Sequence, residues 1–108
     1  MVEIFKGLSD ENRLRIVNLL LYRELCVCDI EKILEISQSN ASRHLNKLKS
    51  CGIIAQTKKA QWVFHRIDEN FLKENQLLIQ YLKVELQKNP QIQADLEKLK
   101  GHTITCIS

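Results

Sequence analysis

The sequence predicts a mainly α-helical (α+β) domain carrying one small β-hairpin, and three features predict it. Apolar residues recur at helical spacing over most of the chain. A stretch rich in Ile, Val, Thr and aromatic residues interrupts that pattern between residues 53 and 67. One Pro and three Gly leave little room for a loop-rich fold. At 108 residues there is room for one core, and 44% hydrophobic with 27% charged residues is a globular balance.

Taken in order, Ser9-Asp10 is a helix start, and Glu11 to Tyr22 follows with apolar residues at 14, 17 and 21 and at 16 and 20. That band covers more than half the circumference, so the helix should be largely buried. A shorter helix is expected over Asp29–Glu35, with Val27, Ile30, Ile33 and Leu34 on one side. Ile36-Ser37-Gln38 makes a tight turn with Ser37 as N-cap. The next helix, Gln38 to Ser50, carries Ala41, Leu45 and Leu48 as a narrow inner stripe and ends at Cys51-Gly52. Two β-runs follow, Ile53–Lys58 and Trp62–Ile67, with Lys59-Ala60-Gln61 at the hairpin tip. A helix over Asn70–Lys88 comes next, with apolar residues on several sides. Asn89-Pro90 then restarts the chain into a short helix ending before Gly101. The expected division is a domain over 1–88, followed by a short helix and tail over 89–108.

Two short helices, a tight turn and a hairpin form a winged helix-turn-helix. The charge distribution agrees. The net charge is only +3, yet residues 36–67 hold six basic residues and no Asp or Glu, so that window is +6 and the remainder −3. An acid-free basic block is the footprint of a protein that binds a polyanion, here double-stranded DNA. The outward face of the second helix carries Ser39, Ser42, Arg43, Asn46 and Lys47, residue types that reach base edges and phosphates. Lys58 and Lys59 at the wing tip would lie along the phosphate backbone. The broad apolar band of residues 70–88, with Val2, Ile4, Phe5 and Leu8, predicts a homodimer. Such a dimer would present two recognition helices about 34 Å apart to a near-palindrome.

Other classes are excluded. No apolar run approaches the roughly 18 residues of a membrane span. The start of the chain lacks the basic-then-apolar order of a signal peptide, so a cytoplasmic protein with reduced thiols is expected. A Gly-rich phosphate loop and a Ser/His/Asp arrangement are both missing, so the chain is not read as an enzyme.

The runs Glu24-Leu-Cys-Val-Cys-Asp-Ile30, Ser37-Gln-Ser-Asn-Ala-Ser-Arg-His-Leu45 and Leu48-Lys-Ser-Cys-Gly-Ile53 resemble the ArsR/SmtB family of metal-responsive repressors. Leu8-Ser-Asp-Glu-Asn-Arg-Leu-Arg-Ile16 and Trp62-Val-Phe-His-Arg66 fit it as well, so the resemblance covers roughly residues 4–85. It implies a homodimeric winged-helix repressor that leaves its operator when an inducer binds. It also places Gln38, Asn40 and His44 in the DNA-contacting region, His44 as a DNA or structural contact. The family usually has Gly at the wing tip, where this chain has Ala60-Gln61.

Cys-Val-Cys-Asp at residues 26–29 is similar to the arsenite and cadmium/lead sensors of that family. The resemblance implies As(III) or Sb(III) as inducer, held by Cys26 and Cys28, with other soft metal ions as alternatives. Residues i and i+2 of a helix point about 200° apart, so two helical cysteines cannot grip one ion. Chelation needs a non-helical segment leading into the helix, or an unwound first turn. In the best-known arsenite sensors a third thiol follows three residues after the second, where this chain has Glu31. Cys106 on the tail is the candidate third ligand, His102 a weaker one, and Cys51 a packed core residue. The family's zinc site on the last long helix needs histidines, and residues 70–88 contain none. His65 reads as a strand residue, and Trp62 and Phe64 as packing the wing onto the domain. A thiol-based redox or reactive-sulfur sensor of the same fold stays open.

Overall fold

The computed structural model describes residues 1–102; Cys106 lies outside the described residues. In chain order the elements are α1 (Val2–Leu8), α2 (Glu11–Leu20), α3 (Val27–Leu34), α4 (Gln38–Ser50), β1 (Ile54–Lys59), β2 (Trp62–Ile67), α5 (Glu69–Glu74), α6 (Gln76–Leu86) and α7 (Pro90–Lys100). Fully buried Ile16, Leu19, Leu25, Ile30, Leu48 and Ile53 centre a core to which every helix and the hairpin contribute.

Local chemistry sets the boundaries. Asp10 caps α2 by accepting from the Arg13 N–H, and Ser37 caps α4 by accepting from that of Asn40. The end of α4 is closed by two bonds, Gly52 N to Lys49 O and Ile53 N to Leu48 O, at 3.0 Å each. That pairing needs a left-handed residue, and Gly52 supplies it at φ 79°. It turns the chain straight into β1. The two strands pair antiparallel from Ile54↔Ile67 to Lys59↔Trp62, leaving Ala60-Gln61 as the tip.

Two expectations are corrected. The helix expected over 70–88 is two helices, broken at Asn75, whose backbone (φ −128°, ψ 38°) leaves the helical region. The Asn75 side chain bonds the Phe71 carbonyl at 3.1 Å, the local competition that makes Asn a poor helix-interior residue. Helix α3 also begins at Val27, two residues earlier than expected, with Cys26 as its extended N-cap. Among the described residues, no helix is long and apolar enough to cross a membrane.

Candidate nucleic-acid interface and thiol site

Helix α4 presents the basic face. Gln38, Ser39, Asn40, Arg43, Asn46 and Lys47 are exposed and Ser42 is half-buried, while Ala41, Leu45 and Leu48 are buried beneath them. The Arg43 guanidinium rests on Asn40 Oδ1 at 3.0 Å, which directs it along the helix flank.

His44 is turned the other way. The structure buries it against α2, with Nδ1 3.3 Å from Arg13 Nη1 and 3.9 Å from Asp10 Oδ1. Of its two expected roles, the surface contact to DNA is not available in this position; His44 ties α4 to α2. Arg13 extends the tie to α1 by donating to the carbonyls of Gly7 (2.7 Å) and Lys6 (3.2 Å). Burial holds the His44 pKa below its ordinary value, with Asp10 opposing and the Arg13 and Arg43 charges adding to the depression.

On the wing, Lys58 is exposed, whereas Lys59 is partly engaged. Its ammonium lies 3.8 Å from Glu24 Oε1 and 5.2 Å from the centre of the Phe64 ring. Phe64 is buried as expected, but Trp62 stays 36% exposed near the tip and packs less than expected. The base of the wing is tied to the link between α2 and α3. Leu25 and His65 exchange both backbone hydrogen bonds, at 3.2 and 2.7 Å. This pairing holds the chain extended up to Cys26.

The extended backbone of Cys26 (φ −87°, ψ 167°) resolves the geometric difficulty of the i, i+2 spacing. Cys26 stands outside the helix and Cys28 within its first turn, so their sulfurs converge to 3.0 Å without any unwinding. Cys26 is buried and Cys28 half-buried, which leaves one side of the pair reachable. A third group joins them that sequence reasoning did not single out. Asp29, fully buried, accepts from the Cys26 thiol at 2.9 Å, and ligand atoms of Cys26, Cys28 and Asp29 lie within 4.8 Å of one another. Glu31, at the position of the missing third thiol, is not part of this group. Cys51 is buried and free, against Gly7, as the core assignment expected.

Together, the helix pair, the basic exposed second helix and the hairpin define a winged helix-turn-helix protein of the DNA-binding class. Comparison with known proteins narrows this. The profile of the bacterial regulatory protein, arsR family, matches residues 10–56. The chain is 38% identical over 94 residues to an arsenic resistance transcriptional regulator (ArsR2) of Pseudomonas putida, covering 86% of this chain and 79% of that one. It is 40% identical over 75 residues to a cadmium resistance transcriptional regulatory protein CadC homolog of Staphylococcus aureus, covering 68% of this chain and 62% of that one. The chain thus spans about three fifths of that relative's length. A homodimeric winged helix-turn-helix DNA-binding domain from Mycobacterium bovis superimposes with a TM-score of 0.67 at 26% identity, covering 82% of this chain and 83% of that one. The chain belongs to the ArsR family, a family of transcriptional regulators rather than enzymes.

Proposed function

We propose that this chain is a repressor that holds a near-palindromic operator as a homodimer and leaves it when arsenite or antimonite binds the Cys26 and Cys28 thiolates. One observation carries the reading: the two sulfurs are brought together at the head of α3, the helix that packs against the recognition helix α4. Soft thiolates select soft ions, and binding displaces the thiol protons; the Cys26 proton already points at Asp29 Oδ2.

The inducer site touches the reading surface by two routes. Helix α3 braces α4, and the segment just before Cys26 holds the wing through the Leu25–His65 pairing and the Glu24–Lys59 ion pair. An ion that re-sets Cys26 and Cys28 therefore shifts the groups that position both α4 and the wing. Coupling of this kind is worth about 1–3 kcal/mol, a 5–150-fold change in operator affinity. In this reading Gln38, Ser39, Asn40, Ser42, Arg43, Asn46 and Lys47 read the operator, and Lys58 with Lys59 contacts its backbone.

A second reading, a Cd²⁺ or Pb²⁺ sensor, is favoured by Asp29, whose carboxylate suits a divalent cation better than it suits arsenite. The test is an operator-release titration with arsenite, Cd²⁺ and Pb²⁺ on the wild type and Cys28→Ser. The variant is expected to bind operator as well as the wild type but to remain bound at ion concentrations that release the wild type. Undiminished release of Cys28→Ser by every ion would remove the thiol pair from the mechanism.

A further inference from the structure

The segment just past α7 reaches the thiol site. Helix α7 ends at Lys100, and the backbone just past it is fixed by Arg23, whose Nη1 lies 3.4 Å from the carbonyl oxygens of both Leu99 and His102. The His102 N–H also closes onto Leu99 O at 3.1 Å. Thus held, the His102 imidazole turns inward, its side chain only 14% exposed, and Nε2 lies 2.7 Å from Asp29 Oδ1. The other carboxylate oxygen, Oδ2, faces the Cys26 sulfur at 2.9 Å. One oxygen of Asp29 is therefore held by His102 and the other is presented to the thiols.

We propose that His102 is a positioning residue that makes Asp29 a usable ligand, and thereby raises the affinity of the site for divalent soft cations while leaving arsenite binding to the sulfurs unchanged. The inference rests on the reading of Cys26 and Cys28 as the inducer site and deepens it. The physical reason lies in charge. A buried carboxylate beside two thiolates is repelled by them, and its orientation depends on a donor on its far side. Carboxylates that ligate metals are held by such hydrogen bonds, and removing the holder costs affinity. Arsenite is satisfied by sulfur in a pyramidal, three-coordinate arrangement and gains little from the carboxylate. A divalent cation carries full charge, accepts four donors and gains from the oxygen. His102 itself stands one step back, bonded to Asp29, outside the cluster of converging ligand atoms.

The experiment measures arsenite and Cd²⁺ affinities on the full chain by chelator or thiol competition, for the wild type, His102→Ala, His102→Gln, His102→Asn and Cys28→Ser. Operator binding without ion reports folding for each. His102→Ala should weaken Cd²⁺ about ten- to a hundredfold while arsenite changes by less than about threefold. His102→Gln, whose amide N–H falls near the place of Nε2, should restore most of the Cd²⁺ affinity. His102→Asn, too short to reach, should behave as the alanine variant and serves in its place if alanine impairs folding. Equal loss for both ions, no loss for either, or failure of the glutamine rescue overturns the proposal while leaving the thiol site standing. Unchanged binding of both ions by Cys28→Ser overturns the thiol site itself.

Discussion

His65 is a buried imidazole, 6% exposed, whose Nδ1 finds no hydrogen-bond partner among the described residues. Burial, with the Lys49 charge adding, pushes its pKa below the ordinary 6.5. Above that value neither the folded nor the unfolded chain is protonated here, and the group contributes no pH dependence. As pH falls through 6.5 toward the folded pKa, the unfolded chain binds a proton that the native one does not, so stability falls. The slope from this group is at most about 1.4 kcal/mol per pH unit. Urea unfolding of the wild type between pH 8 and pH 5 should show that loss, and His65→Phe should flatten it; an unchanged slope would assign the effect to other groups. Ala60 offers a second test at this scale. Its φ of 57° puts a Cβ-bearing residue in the left-handed region at the wing tip, where the family resemblance leads one to expect Gly. That conformation costs about 1–2 kcal/mol, and Gly gives back part of the gain through unfolded-chain entropy. Ala60→Gly should therefore stabilise by about 0.5–1 kcal/mol, read as a raised Tm.

Helix α7 is tied along α3 rather than trailing behind the domain. Arg15 on α2 is the centre of the tie: its guanidinium meets the fully buried Asp95 carboxylate at 2.8 and 3.0 Å and donates to the last carbonyl of α3, Leu34 O, at 3.2 Å. Lys98 and Glu35 add an exposed pair at 2.5 Å. Arg15→Leu leaves the buried Asp95 carboxylate with Gln91 Nε2 (3.0 Å) as its remaining side-chain donor among the described residues and should cost about 3–5 kcal/mol, measured by urea denaturation. A loss below about 1 kcal/mol would mean that water reaches Asp95. Elements governed by local signals were legible before the structure: the periodicity of α2 and α4, the Ser37 cap, Gly52 and the hairpin runs each act within a turn or two. The break at Asn75 escaped because the apolar pattern runs through it, and only a backbone competition at one residue interrupts it. At the site, Cys26 and Cys28 were legible from the resemblance of Cys-Val-Cys-Asp to the family's metal sensors, and their need for a non-helical approach from helix geometry. The Leu25–His65 pairing, which provides that approach, joins positions 40 residues apart, and the His102–Asp29 bond positions 73 apart. No local pattern encodes contacts of that separation. Between the DNA and structural roles open to His44 the sequence could not choose, because helical angle alone puts it at the margin of the face and the Arg13 partner that draws it inward lies on another helix.

At the scale of the whole molecule, the fold leaves a set of large apolar side chains uncovered. Leu77 is 82% and Tyr81 61% exposed on α6, with Val84 one turn beyond, and Val2 and Phe5 are exposed on α1. A cavity of about 370 Å³ lined by Met1, Ile4, Phe5, Glu74, Asn75 and Leu78 lies between α1 and the start of α6, which brings the two helices side by side. A monomer rarely presents so many large apolar groups together, and in the homodimer proposed above a second copy related by a two-fold axis would cover them with their own counterparts. The same axis would turn one basic α4 into two, so that on the proposed operator each protomer would occupy a half-site and the second contact would be made at the high effective concentration set by the first. Placing negative charge on this face, by Leu77→Glu with Tyr81→Glu, should therefore leave the helical content intact, since both side chains lie outside the core, but yield monomers in sedimentation velocity. Operator affinity should then fall about a hundredfold or more, the avidity lost with the second half-site, while binding to a single half-site is unchanged. It should also lose about half of its dependence on salt, because the phosphate contacts per complex are halved. A doubly substituted chain that still sediments as a dimer would move the interface off α1 and α6, and the spacing of the two recognition helices would have to be built from another surface.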